Sequence, residues 1–143
     1  MRALLDVNAL LALLDDEHIH HISILEWLKR PANMQHGFAT CAISQLGAIR
    51  VISSKSYFKP VKAEVGAQLM RDLTARGHRY LDTPPPCDEQ VRWNTVTSAL
   101  STDAALLATA VTHGCRLVTF DAGIGLRLVA GATRDHLVLL RAA

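Results

Sequence analysis

Two short apolar runs that each stop on an aspartate constrain this chain more than any other feature. Leu4-Leu5 ends at Asp6, and Val118-Thr119-Phe120 ends at Asp121. A buried strand that closes on an acid carries it to the carboxyl edge of a sheet, where open parallel sheets bind their ligands. Between the two runs lie segments of helical spacing. Short apolar strands alternating with helices imply an α/β fold, a layered sandwich around a mostly parallel central sheet.

The first strand passes into a helix over residues 9–14, with Asn8 placed near its N-cap. Residues 18–29 repeat Ile22, Leu25, Trp27 and Leu28 at helical intervals, and Pro31 ends that helix. Residues 37–40 form a candidate strand and residues 43–53 a helix through Ile43, Leu46, Ile49 and Ile52. A further helix over 62–76 sets Val65, Leu69, Met70 and Leu73 on one face and stops at Gly77, before a short strand at Tyr80 and Leu81. In the last third, Ser101 or Thr102 caps a helix over 103–113, a strand follows at 116–120, and a final strand covers 136–140.

The 143 residues suit one domain, 1–143. Half of them are hydrophobic and 20% are charged, which excludes wholesale disorder. No apolar run approaches the roughly 20 residues of a membrane span, and the N-terminal stretch lacks the order of a signal peptide, so no membrane partner and a cytoplasmic location are expected. Cys41, Cys87 and Cys115 are odd in number and lack metal-ligand spacing, and are expected as reduced, buried or half-buried thiols. Residues 50–79 carry seven bases against Glu64 and Asp72, a basic surface suited to a polyanion.

Asp103 opens the helix that directly precedes the strand ending at Asp121, so Asp6, Asp103 and Asp121 can converge on one sheet edge. Two unit charges about 4 Å apart cost on the order of 4 kcal/mol at a surface-like dielectric, so gathered acids imply a compensating cation. Oxygen ligands of this kind suit Mg²⁺ or Mn²⁺. His18, His20 and His21 stand close together without further ligands at a fixed spacing, which argues against zinc. Trp27 and Trp93 read as core or dimer residues, and Gly123 and Gly125 as a turn.

Three segments, LLDVNALLALL, TCAISQLGAIRVIS and TDAALLATAVTHGCRLVTFD, resemble in this order the PIN-domain ribonucleases of the VapC toxin group, over residues 3–121. The resemblance implies a three-layer α/β/α sandwich and a metal-dependent endoribonuclease paired with a small antitoxin protein. It makes Asp6, Asp103 and Asp121 the catalytic, metal-binding acids and Asn8 a polar neighbour of the first. Many PIN domains carry a glutamate where Gln45 stands here; the amide can still bond a metal-bound water, but one negative charge is gone, which favours a single metal. Thr119, on the same side of its strand as Asp121, is placed to contact phosphate or the metal's surroundings, or else to pack within the sheet; Arg50, after Gln45 on its helix, is placed to reach a bound phosphate or else to serve as a structural surface charge. Exposed apolar residues on the helices at 18–29 and 43–54 would receive the antitoxin, and a homodimer is the other use of such a surface. A PIN-like module that binds RNA or protein without cleaving is the rival reading, on account of Gln45. A haloacid-dehalogenase-type phosphotransferase needs a second aspartate where Asn8 stands, and a receiver domain needs a late lysine, whereas the last lysine is Lys62.

Overall fold

The structure, a computed structural model, describes residues 1–141. Five strands form one sheet: β1 (Ala3–Leu5), β2 (Phe38–Cys41), β3 (His78–Leu81), β4 (Arg116–Thr119) and β5 (Leu137–Leu139). Their order is β3-β2-β1-β4-β5, and every pairing is parallel. The sheet is thus wholly parallel where the sequence suggested mostly parallel. All five strands fall where sequence spacing put them, with ends shifted by a residue or two.

Among the described residues six α-helices complete the fold, with short 3₁₀ turns between elements: α1 (Val7–Leu14), α2 (His21–Lys29), α3 (Pro31–Met34), α4 (Ala42–Ile52), α5 (Ala63–Leu73) and α6 (Ser101–Thr112). Alternation along the strands sorts the side chains into two cores, one on each face of the sheet. On one face Leu4, Ala39, Cys41 and Leu117 pack against α6 and the loop residues Leu128 and Val129. On the other, Leu5, Phe38 and Val118 meet Leu10 of α1, Ile24 and Trp27 of α2, Ala48 of α4 and Met70 of α5. Helices on both faces of a parallel sheet make the expected α/β/α sandwich.

Local chemistry explains several boundaries, not always as the sequence suggested. Asp6, not Asn8, caps α1: its side chain accepts from the Ala9 N–H at 2.7 Å, while the Asn8 side chain stands exposed on the helix. Helix α6 starts two residues early, with Leu100 at its N-cap, so neither Ser101 nor Thr102 caps it and Asp103 becomes a first-turn acid. Pro31 ends α2 and at once opens α3, because its fixed φ suits a first helical turn. Gly47 allows α4 to lie close on α1, since a Cβ there would come within 2.5 Å of Val7 Cγ2. Trp27 is buried as expected, but Trp93 is 42% exposed, so it is no core residue. Cys41 and Cys115 are buried, whereas Cys87 is exposed. Among the described residues, no helix is long and apolar enough to cross a membrane.

Candidate functional site

In the strand order β3-β2-β1-β4-β5, the direction of winding reverses between β1 and β4, and at such a switch point the crossovers diverge and leave a crevice at the strands' carboxyl ends. Both acid-terminated strands end there. The Asp6 N–H donates to the carbonyl of Val118 at 3.1 Å, continuing the β1–β4 ladder past the end of β1. One residue further on, the Thr119 hydroxyl donates to Asp6 Oδ2 and accepts the Asp121 N–H at 2.9 Å. Thr119 therefore joins two of the acids, and sits on the α6 face because Val118 before it faces the other way.

Asp6 is 3% exposed, and burial pushes its carboxyl above the ordinary value. The hydrogen bonds from Thr119 and from the Ala9 and Asn8 backbone N–H groups pull the other way, and the negative charge of Asp121 adds to the rise. The Asn8 neighbour expected from the sequence thus acts on Asp6 through its main chain. Asp103 projects from the first turn of α6 and is pushed up to about 6, by burial first and then by the charges of Asp121 and Asp6. Asp121 is exposed, with Oδ1 held by the Gly123 N–H at 2.7 Å. The three acids therefore sense one another electrostatically. Among the described residues the one ion pair is Lys59 with Glu17, so no protein cation neutralises them.

Carboxylates that repel one another without a basic partner form a donor set suited to a hard divalent cation. Among the described residues no three His, Cys, Asp or Glu side chains close into a cage of ion-ligand dimensions. That openness suits an ion which keeps several waters and takes one or two carboxylates together with substrate phosphate.

Gln45 lies in the first turns of α4, beyond the carboxyl end of β2. Its Nε2 donates to Thr40 Oγ1 at 2.9 Å, and Thr40 Oγ1 in turn lies 2.6 Å from His78 Nε2. Thr40 alternates with Ala39 and Cys41, so it faces the α4–α5 layer, away from the face on which Thr119 meets Asp6. The amide is thus anchored to β2 and, through Thr40, to His78 of β3. Arg50 is exposed in the last turn of α4, and no hydrogen bond links its side chain to the site. Residue spacing alone missed two contributors: the Gly123 N–H, and a stack of His20 on Phe120, centroids 4.3 Å apart and 10° from parallel, beside Asp121. An acid followed two residues later by glycine was the available sign of the first.

A parallel α/β/α sandwich with three acids at its switch point places the chain in a known class, and it belongs to the PIN-domain family, whose model matches residues 3–131. Among characterised proteins, it is 42% identical over 144 residues to Ribonuclease VapC44 of Mycobacterium tuberculosis, covering 98% of this chain and 100% of the relative. Ribonuclease VapC38 of the same organism is 44% identical over 128 residues, covering 85% of this chain and 86% of the relative. In fold, the chain superimposes on a structure of VapBC2 from Rickettsia felis bound to a DNA fragment from their promoter, with a TM-score of 0.60, 15% identity, and coverage of 99% and 100%.

Proposed function

We propose that this chain is an endoribonuclease dependent on Mg²⁺ or Mn²⁺, the toxin of a cytoplasmic toxin–antitoxin pair. The observation that carries this reading is the group of three mutually repelling acids at the sheet's switch point with no protein cation among them. The ribonucleases named above, similar over nearly the whole chain, support the same chemistry.

Asp6, Asp103 and Asp121 would hold the cation. When bound, it lowers the pKa of water and offsets charge on the scissile phosphate. Asp6 is the fixed member, since its two oxygens are oriented by Ala9 and Thr119 and cannot swing with solvent. Asp121 is the accessible member, with one oxygen held by Gly123, and it meets incoming RNA. Asp103, with its pKa near 6, is ionised at neutral pH and available as a ligand. Burial of Thr119 beneath the pair gives it a positioning role, and contact with phosphate falls to groups nearer solvent. Arg50 and Asn8 are exposed and remain candidates for phosphate and ribose contacts, and Gln45 for a water near the cation.

The partner surface expected for an antitoxin, or for a second copy of the chain, is supported by Ile19, Ile22 and Leu46, which are 84%, 59% and 68% exposed. Incubation of the purified chain with single-stranded RNA tests the activity. Cleavage in Mg²⁺ or Mn²⁺ that stops with EDTA is expected. Binding of RNA without cleavage in either metal would favour the non-cleaving module.

A further inference from the structure

Resting on the ribonuclease reading, we infer that the hollow beside Asp121, lined by His20, Phe120, Ala122, Leu139, Leu140 and Arg141, is a nucleobase subsite for the nucleotide adjoining the scissile phosphate.

Position supports it first. Phe120 and Ala122 are the immediate neighbours of Asp121, so the hollow opens one residue from the exposed acid. Phe120 points to the face opposite Thr119, which sets the hollow across the tip of β4 from the acids. A strand of RNA with its phosphate over the acids would carry a neighbouring base over that tip.

Size and chemistry agree. The hollow measures about 360 Å³, within the range of small-ligand pockets. Its walls are apolar apart from the imidazole of His20 and the guanidinium of Arg141, a combination suited to a flat, polar-edged ring joined to a phosphate. A second hollow of about 430 Å³ shares Leu139, Leu140 and Arg141 and continues to Trp27 and Arg30, with Glu26 as its one acid. The two form a trough between α2 and the edge strand β5. Arg141 stands where they meet, and Arg30 lies farther along.

The trough is also built to keep its shape. Helix α2 is held at its start by the His20–Phe120 stack and near its end by Arg116 over Trp27, 5.0 Å from the ring centroid. Phe120 and Arg116 lie just beyond and at the two ends of β4, so both anchors tie α2 to one strand. By contrast, the basic segment at 50–79 is partly committed elsewhere: Lys59 pairs with Glu17, Arg71 bonds Gln68, and Arg79 lies on β3 at the opposite edge of the sheet.

The test compares a single-stranded RNA cut at one site with the same RNA made abasic on either side of that site, using the wild type, Arg141→Ala and Ala122→Trp, which fills the hollow from its rim. Loss of one flanking base should raise KM about tenfold for the wild type, as expected for one seated base. The same loss should cost Ala122→Trp nothing further, and Arg141→Ala should weaken RNA binding by fluorescence anisotropy. Equal KM for abasic and intact RNA, with unaltered binding by both variants, would overturn the proposal. Absence of cleavage by the wild type would count against the ribonuclease reading alone, since anisotropy with the same RNAs and variants still decides the subsite. Variants that bind RNA normally but lose a co-expressed protein partner would make the trough a protein groove and also overturn it.

Discussion

Thr119 donates its hydroxyl to Asp6 across the β1–β4 seam and accepts the main-chain N–H of Asp121, so a single buried side chain sets the spacing of two acids from different ends of the sequence. Replacing it with valine keeps the shape and removes both bonds. Thr119→Val should destabilise the fold by about 2 kcal/mol at neutral pH, because the bond it removes goes to a buried charged group. Thr119's bond lowers the Asp6 pKa, so its contribution is present while Asp6 is ionised and fades as pH falls through the folded-state value. Urea unfolding followed from pH 8 downward should therefore show the gap between variant and wild type narrowing as Asp6 takes up its proton. Thr119→Ser should restore most of the difference.

Asp103 makes a prediction of the opposite sense. Its pKa rises from 3.8 to about 6 on folding, so between these values the folded state binds the extra proton. Stability of the metal-free protein should fall as pH rises through this window and level off above it. Asp103→Asn should match the wild type near pH 4, melt at a higher temperature at pH 8 in EDTA, and lose the wild type's stabilisation by Mn²⁺. Thermal unfolding across pH, with and without Mn²⁺, measures all three effects. A variant less stable than the wild type at pH 8 in EDTA would show that burial and the neighbouring acids do not disfavour the charged form of Asp103.

Gln45 is anchored to Thr40, and Thr40 to His78, whose pKa burial and Arg2 hold below the ordinary value. Gln45→Glu should tighten Mn²⁺ binding by restoring a negative charge near the sheet edge, and should raise the His78 pKa as the hydrogen bonds reverse direction. Calorimetric titration with Mn²⁺ and NMR titration of the His78 ring read these separately. An unchanged Mn²⁺ affinity would leave residue 45 a structural link between α4, β2 and β3.

Much of this was legible in the chain itself. The strand at Leu4-Leu5-Asp6 and the one before Asp121 could be read because each is a short apolar run of strand length that alternates with segments of helical spacing, the pattern of a buried parallel sheet. The meeting of Asp6, Asp103 and Asp121 followed from their common position at strand or helix ends. What could not be read depended on competition between neighbouring groups. Asp6 and Asn8 are both good caps, and the extended backbone at Asp6 decided in its favour. Trp93 read by type as a core or dimer residue, and the core half fails because it falls in a 3₁₀ turn outside the regular layers. The tether of Gln45 was hidden because it depends on Thr40 and His78, 38 residues apart, being placed together by β2–β3 pairing. The His20–Phe120 stack is hidden in the same way, 100 residues apart in sequence and joined only through the packing of α2 on β4.

The central claim is that the three acids act together through one divalent cation. Asp6→Asn tests it most directly, since asparagine can still accept the Ala9 N–H and cap α1 while its charge is lost. Cleavage of a labelled single-stranded RNA should be measured across a Mn²⁺ titration for the wild type, Asp6→Asn and Asp121→Asn, with folding checked by circular dichroism. The account requires cleavage by the wild type that saturates with Mn²⁺, and loss of at least about a hundredfold in rate for either folded variant, the scale expected when a charge-stabilising group is removed. Cleavage by folded Asp6→Asn at the wild-type rate, with the same Mn²⁺ dependence, would contradict it.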